Sequence, residues 1–219
     1  MKSQSPKKLR TSIDSLTPLR IARTALGLID RDGLETLSIR RLAAELKCEA
    51  MSLYHHVPSK GHLLDLVVDL LMEEIELPVP GEQDWLLQLR TIAQSYRKVA
   101  ERHPKAFILL ATRRFNSDQS FQFLETNLEI LKLAGFDELM RVRMVRMIGH
   151  FVNGALLNEI ALRHLQPEPT AVVISDHFRH IQAVAPYLGD TYFDSYFNFA
   201  LELILAQVRN APRMASDQP

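Results

Sequence analysis

Apolar residues in this chain return every three or four positions almost from end to end. No alternating apolar–polar run long enough for a strand interrupts them. That periodicity confines the 219 residues to an all-α fold. The first helix opens at Thr17-Pro18, where a hydroxyl oxygen can accept from orphan N–H groups and proline lacks the N–H that would go unpaired. Ile21, Ala22, Ala25, Leu26 and Ile29 form its apolar stripe, and Gly33 is a fitting stop. Ser38 caps a second short helix whose inner face is Ile39, Leu42, Ala43 and Leu46. A third runs from about Glu49 to Val57, ended by Pro58, which disfavours helix in the residue before it. Ser59 opens a long fourth helix to about Ile75.

The segment Glu76–Gln83 (ELPVPGEQ) is rich in proline and glycine and marks a domain boundary. Helices follow at about 84–103, 105–113, 117–134, 136–164 and 191–210, with a weaker one near 176–185. The chain thus divides into a flexible basic arm (1–16), a small helical unit with its linking helix (17–75), a larger helical body (84–210) and a loose tail (211–219). Two stretches of the body, Met147–Leu162 and Tyr192–Val208, are apolar nearly all round, and a helix without a polar face must be covered on every side. A large single-chain core would do this; a two-fold dimer packing 136–164 and 191–210 against their copies does it more easily. Ala155 and Leu205 are the positions at which an arginine is expected to disrupt it.

Net charge is zero, but the average conceals a split. Residues 1–60 carry 11 Lys/Arg against 6 Asp/Glu, a net of +5, and residues 61–219 carry 15 against 20, a net of −5. A basic head and an acidic body suit a head that meets a polyanion. The basic opening lacks an apolar stretch and does not read as a signal peptide, and no apolar run is long enough to span a bilayer, so no membrane partner is expected. The single cysteine, Cys48, excludes an internal disulfide framework and fits a reducing cytoplasm, where it reads as inert filler. No Walker loop, G-x-S-x-G, H-E-x-x-H or Glu-x-x-His pattern is present; His177 and His180 stand three apart but read as a solvated face. No cofactor or metal is expected.

Helices two and three have a helix-turn-helix layout with the turn near Leu46–Cys48. At about 100° per residue, Ala50, Leu53 and Val57 share an inner face, Met51, Ser52, His55 and His56 point away, and Tyr54 lies at the border. Within this frame, the run Leu37–Leu64 (LSIRRLAAELKCEAMSLYHHVPSKGHLL) resembles the DNA-binding domain of the tetracycline repressor (TetR) family. The resemblance rests on Arg40, the LA-x-x-L core at Leu42, Ala43 and Leu46, the LY-x-H-V segment Leu53–Val57, and Lys60 followed by Leu63-Leu64. Gly149-His150-Phe151 with Gly154, and Leu201-Glu202-Leu203-Ile204, resemble the C-terminal domain of the tetracycline repressors proper. The resemblance covers about 17–210.

It implies an N-terminal three-helix helix-turn-helix domain joined through the fourth helix to a C-terminal helical domain for ligand binding and dimerisation. It places Arg40, Met51, Ser52 and Tyr54 at base edges and Ile39, His55, His56 and Lys60 at the phosphate backbone of a double-stranded DNA operator. Two positions depart from the family: Lys47 stands where the turn often has glycine, and Ala50 where a polar base reader is often found.

The body should enclose a small-molecule pocket, for which Trp85, Tyr96, Phe107, Arg113, Phe115, Phe136, His150, Phe151 and Asn153 are candidate lining; each aromatic could equally be core. Leu110 replaces the histidine that helps hold magnesium in the tetracycline repressors, and Ile92 replaces a polar asparagine, so a hydrophobic or aromatic effector other than magnesium–tetracycline is expected. The chain reads as a homodimeric, ligand-responsive transcriptional regulator, most simply a repressor of palindromic operators. The alternatives are an all-α enzyme pairing His150 with a carboxylate such as Glu159, and a DNA-binding regulator without an effector.

Overall fold

The computed structural model describes residues 16–165, 174, 175, 177–189 and 192–213. All regular structure among them is helical: α1 (Pro18–Asp32), α2 (Ile39–Glu45), α3 (Ala50–Tyr54), α4 (Lys60–Glu73), α5 (Trp85–Arg102), α6 (Phe107–Thr112), α7 (Asp118–Leu133), α8 (Glu138–Ile160), α9 (Arg179–Val184) and α10 (Phe193–Asn210). A π-helical turn carries α8 on through Ala161–Leu165. The arm over 1–15, the Gln166–Pro169 break and the tail beyond 213 lie outside the described residues. No described helix is long and apolar enough to cross a membrane.

Backbone contacts group residues up to Val67 in one unit and those from Val68 in another, so α4 is shared between them. In the first unit α2 packs against both α1 and α3. Its core is Ile21, Ala25, Ile29, Leu42, Leu53, Val57 and Leu63, all essentially buried. The helix starts follow their sequence signals: Thr17 accepts from the amide of Arg20, Ser38 from that of Arg41, and Ser59 from that of His62. The third helix is shorter than its periodicity suggests. The amides of His56 and Val57 both close on the carbonyl of Leu53, and Pro58 then forbids continuation.

In the second unit α5, α7 and α8 pack on one another, α6 lies on α8, and α10 contacts both α5 and α8. Asp84 caps α5, a reciprocal Ser117–Ser120 box caps α7, and Asp137 caps α8. Three polar rungs join α5 to α10: Arg90 to Glu202 through two bonds of 2.5 and 2.6 Å, Gln94 to Asn198 at 2.6 Å, and Arg97 to Asp194 at 2.5 Å. The hydrogen bond from Arg90 holds the Glu202 carboxyl below its usual range. Arg97 is 5 % exposed and also donates to both oxygens of Glu159 at 3.1 Å.

Candidate nucleic-acid interface and ligand cavity

The turn between α2 and α3 closes with two bonds: the amide of Lys47 to Ala44 and that of Cys48 to Ala43. This is the Schellman arrangement, whose left-handed position normally holds glycine. Lys47 fills it with φ 54°, the one non-glycine residue at positive φ among those described. The same closure ends α7, with Gly135 at φ 88° and the amides of Gly135 and Phe136 bonding Lys132 and Leu131.

With the turn closed, Leu53 and Val57 point inward and Ala50 is half-buried, while Arg40, Met51, Tyr54, His55 and His56 are exposed and Ile39 and Ser52 half-buried. Met51 is 67 % exposed, more than Tyr54 at 44 %. This surface offers a guanidinium, two imidazoles, a phenol, a hydroxyl and a thioether, a set that can read base edges and phosphates. Lys60 is exposed, but its ammonium donates to the carbonyl of Leu37 at 2.8 Å. It therefore ties the start of α4 to the residue before the α2 cap, with two ammonium hydrogens left over.

The second unit holds a cavity of about 500 Å³, partly open to solvent, bounded by α5, α6, α7 and α8. Tyr96, Arg113, Phe115, His150 and Asn153 line it, as do Leu110 and Ile92, the two apolar replacements noted in the sequence. Burial pushes the Tyr96 phenol above its usual range, so it stays a neutral donor, and its hydroxyl donates to Asn153 at 2.8 Å. Trp85, Phe107 and Phe151 are placed elsewhere. Trp85 meets Phe136 edge-on, Phe107 lies behind the lining with its ring edge-on to Tyr96, and Phe151 stacks on Phe197 of α10. Phe136 is fully buried away from the cavity. Helical phase explains Phe151: it follows His150 by one residue, a 100° turn that carries it from the cavity to α10.

Arg146, Gly149, Phe123 and Asn127 also line the cavity, though sequence reasoning did not select them. Arg146 and Gly149 were recoverable, because they lie on one face of α8 with the candidates His150 and Asn153. Among the described residues no Asp or Glu lines the cavity. Glu159, the carboxylate weighed as a partner for His150, lies nine residues along the same helix, about 13 Å away, and is engaged by Arg97 and Arg163. Among the described residues Glu101, Glu159 and Asp194 bring carboxylate oxygens within 4.8 Å of one another, but all three surround the Arg97 guanidinium, which already supplies a cation.

A helix-turn-helix unit followed by a helical body with a cavity among its helices defines a class of small-molecule-linked DNA-binding regulators. Residues 77–211 match the family described as "Tetracyclin repressor-like, C-terminal domain". An HTH-type transcriptional regulator of Saccharopolyspora erythraea is 30% identical over 187 residues, 85% of this chain and 79% of that one. The HTH-type transcriptional repressor DrrR1 of Streptomyces coeruleorubidus is 33% identical over 147 residues, 67% of this chain and 54% of that protein. The structure of the TetR family protein ActR of Streptomyces coelicolor in complex with actinorhodin superposes with a TM-score of 0.77 at 28% identity, covering 89% of this chain and 96% of that one. The chain belongs to the TetR family of transcriptional regulators and is not an enzyme.

Proposed function

We propose that this regulator represses transcription by binding a palindromic operator as a homodimer, and that a small hydrophobic or aromatic effector entering the second unit releases it. The observation that carries the effector half is the cavity: its volume lies within the range of small-molecule sites, and its walls are mainly apolar with a few polar groups. The DNA half rests on the exposed set Arg40, Met51, Tyr54, His55 and His56, with Ser52 and Ile39 at its edge and Lys60 beside it. DrrR1 is a repressor and ActR holds actinorhodin, which supports the same pairing of roles here. The effector acts by binding the DNA-free conformation more tightly, and by linkage operator DNA weakens effector binding to the same degree.

The test is selection of duplexes from a random pool, followed by a screen for compounds that release the selected DNA. Half-sites about one helical turn (~34 Å) apart are expected, with an affinity that falls steeply as salt rises. Arg40→Ala should cost about 1–3 kcal/mol and relax one position of the site. Enrichment of no sequence, or an affinity indifferent to salt, overturns the reading.

A further inference from the structure

The cavity has a charge opposite to that of the body around it. Residues 61–219 carry five more acidic than basic side chains, yet among the described residues Arg113, Arg146 and His150 line the cavity and no carboxylate does. Elsewhere in this unit Arg90 is matched by Glu202, Arg97 by Glu159 and Asp194, Arg102 by Glu74, and Arg141 by Glu138, whereas Arg114 and Arg143 are exposed outside the cavity. Among the described residues Arg146 and His150 have no hydrogen-bond or ion-pair partner. They stand four apart on α8, and positions so spaced share a helix face. Gly149 adds no side chain beside them, and a Cβ built there meets nothing within 4 Å. Also in the lining, Tyr96, Phe115 and Phe123 form an aromatic wall, with ring centroids 6.0 and 6.2 Å apart.

We propose that the effector is an aromatic acid, its ring system against the Tyr96–Phe115–Phe123 wall and its anionic group held by Arg146 and His150. The inference rests on the reading of this cavity as the effector site. A guanidinium and an imidazole N–H one turn apart present convergent donors to one carboxylate or phenolate, and charge-assisted bonds of this kind are stronger than neutral ones. The aromatic wall supplies stacking surface that a small aliphatic acid would leave unused.

Three probes with one ring and different charge test this by calorimetry: 2-naphthoate, 2-naphthamide and 2-(aminomethyl)naphthalene. At low salt the acid should bind about ten-fold or more tighter than the amide, with the amine weakest. The preference should shrink at about 0.5 M salt, because the anion site is partly open to solvent. Arg146→Gln combined with His150→Gln should bring acid and amide to within about two-fold, whereas Arg146→Lys, which keeps a positive charge, should retain part of the difference. Equal binding of acid and amide to the unaltered protein overturns the inference while leaving the cavity as an effector site. So does a ten-fold preference that survives the double substitution. Failure of all three probes to bind overturns the effector reading itself.

Discussion

Lys47 closes α2 in a conformation that costs a residue with a Cβ about 1–2 kcal/mol. Glycine removes that cost but gives back part of it through the greater freedom of the unfolded chain. Lys47→Gly should therefore stabilise the first unit by about 0.5–1 kcal/mol, read as a higher urea midpoint at unchanged slope. A lower midpoint would show that the lysine side chain supports the turn. The family resemblance already marked this position, since the turn often has glycine where Lys47 stands. Lys60 was less legible. Its charge suggested a phosphate contact, but its bond to the Leu37 carbonyl spans 23 positions and leaves no trace in local pattern. Removing Lys60 would disturb the fold of the head as well as any phosphate contact, so Arg40, which is exposed, is the cleaner probe of DNA binding.

Along α8, three environments share one helix. Met144, Val152, Leu156 and Ile160 are buried; Arg146, Gly149, His150 and Asn153 line the cavity; and Leu139, Val142 and Met147 are exposed, with Val152 and Val142 also in the cavity lining. The lack of a polar face in the sequence is explained by these demands. Gly149 offers a direct test. Gly149→Leu should raise helix stability by about 1 kcal/mol and place a side chain in empty cavity space. The thermal midpoint should rise while the response to effectors found by the release screen falls at least several-fold. An unchanged response would move the effector site elsewhere. Candidate aromatics were only partly separable in the sequence. Tyr96 and Phe115 line the cavity while Phe107, Phe151 and Trp85 pack elsewhere. Residue type alone cannot distinguish the two; the rotational phase of each helix against its neighbours decides it.

In the single chain, α10 buries Phe197, Leu201, Leu205 and Val208 and leaves Tyr196, Phe199 and Leu203 open, with Phe199 68 % exposed. The apolar circumference of this helix argued for a dimer, but Leu205 is 2 % exposed and belongs to the chain's own core, so an arginine there would test folding instead. The appropriate variant is Phe199→Arg with Leu203→Arg. If α10 forms the proposed interface, dissociation should become at least 100-fold easier, about 3 kcal/mol, seen as monomers in sedimentation at concentrations where the unaltered protein is dimeric. A folded double variant that remains fully dimeric would place the interface on another surface. The rungs between α5 and α10 bear on the same helix. Sliding α10 by one turn, about 5.4 Å, would set Gln94 against Glu202 and Arg97 against Asn198, leaving both ion pairs of the correct setting unmade. The ladder acts as a detent: α10 clicks into one longitudinal position, so the exposed ring of Phe199 always sits at the same height on the body, and two copies meeting there would find each other in a single alignment.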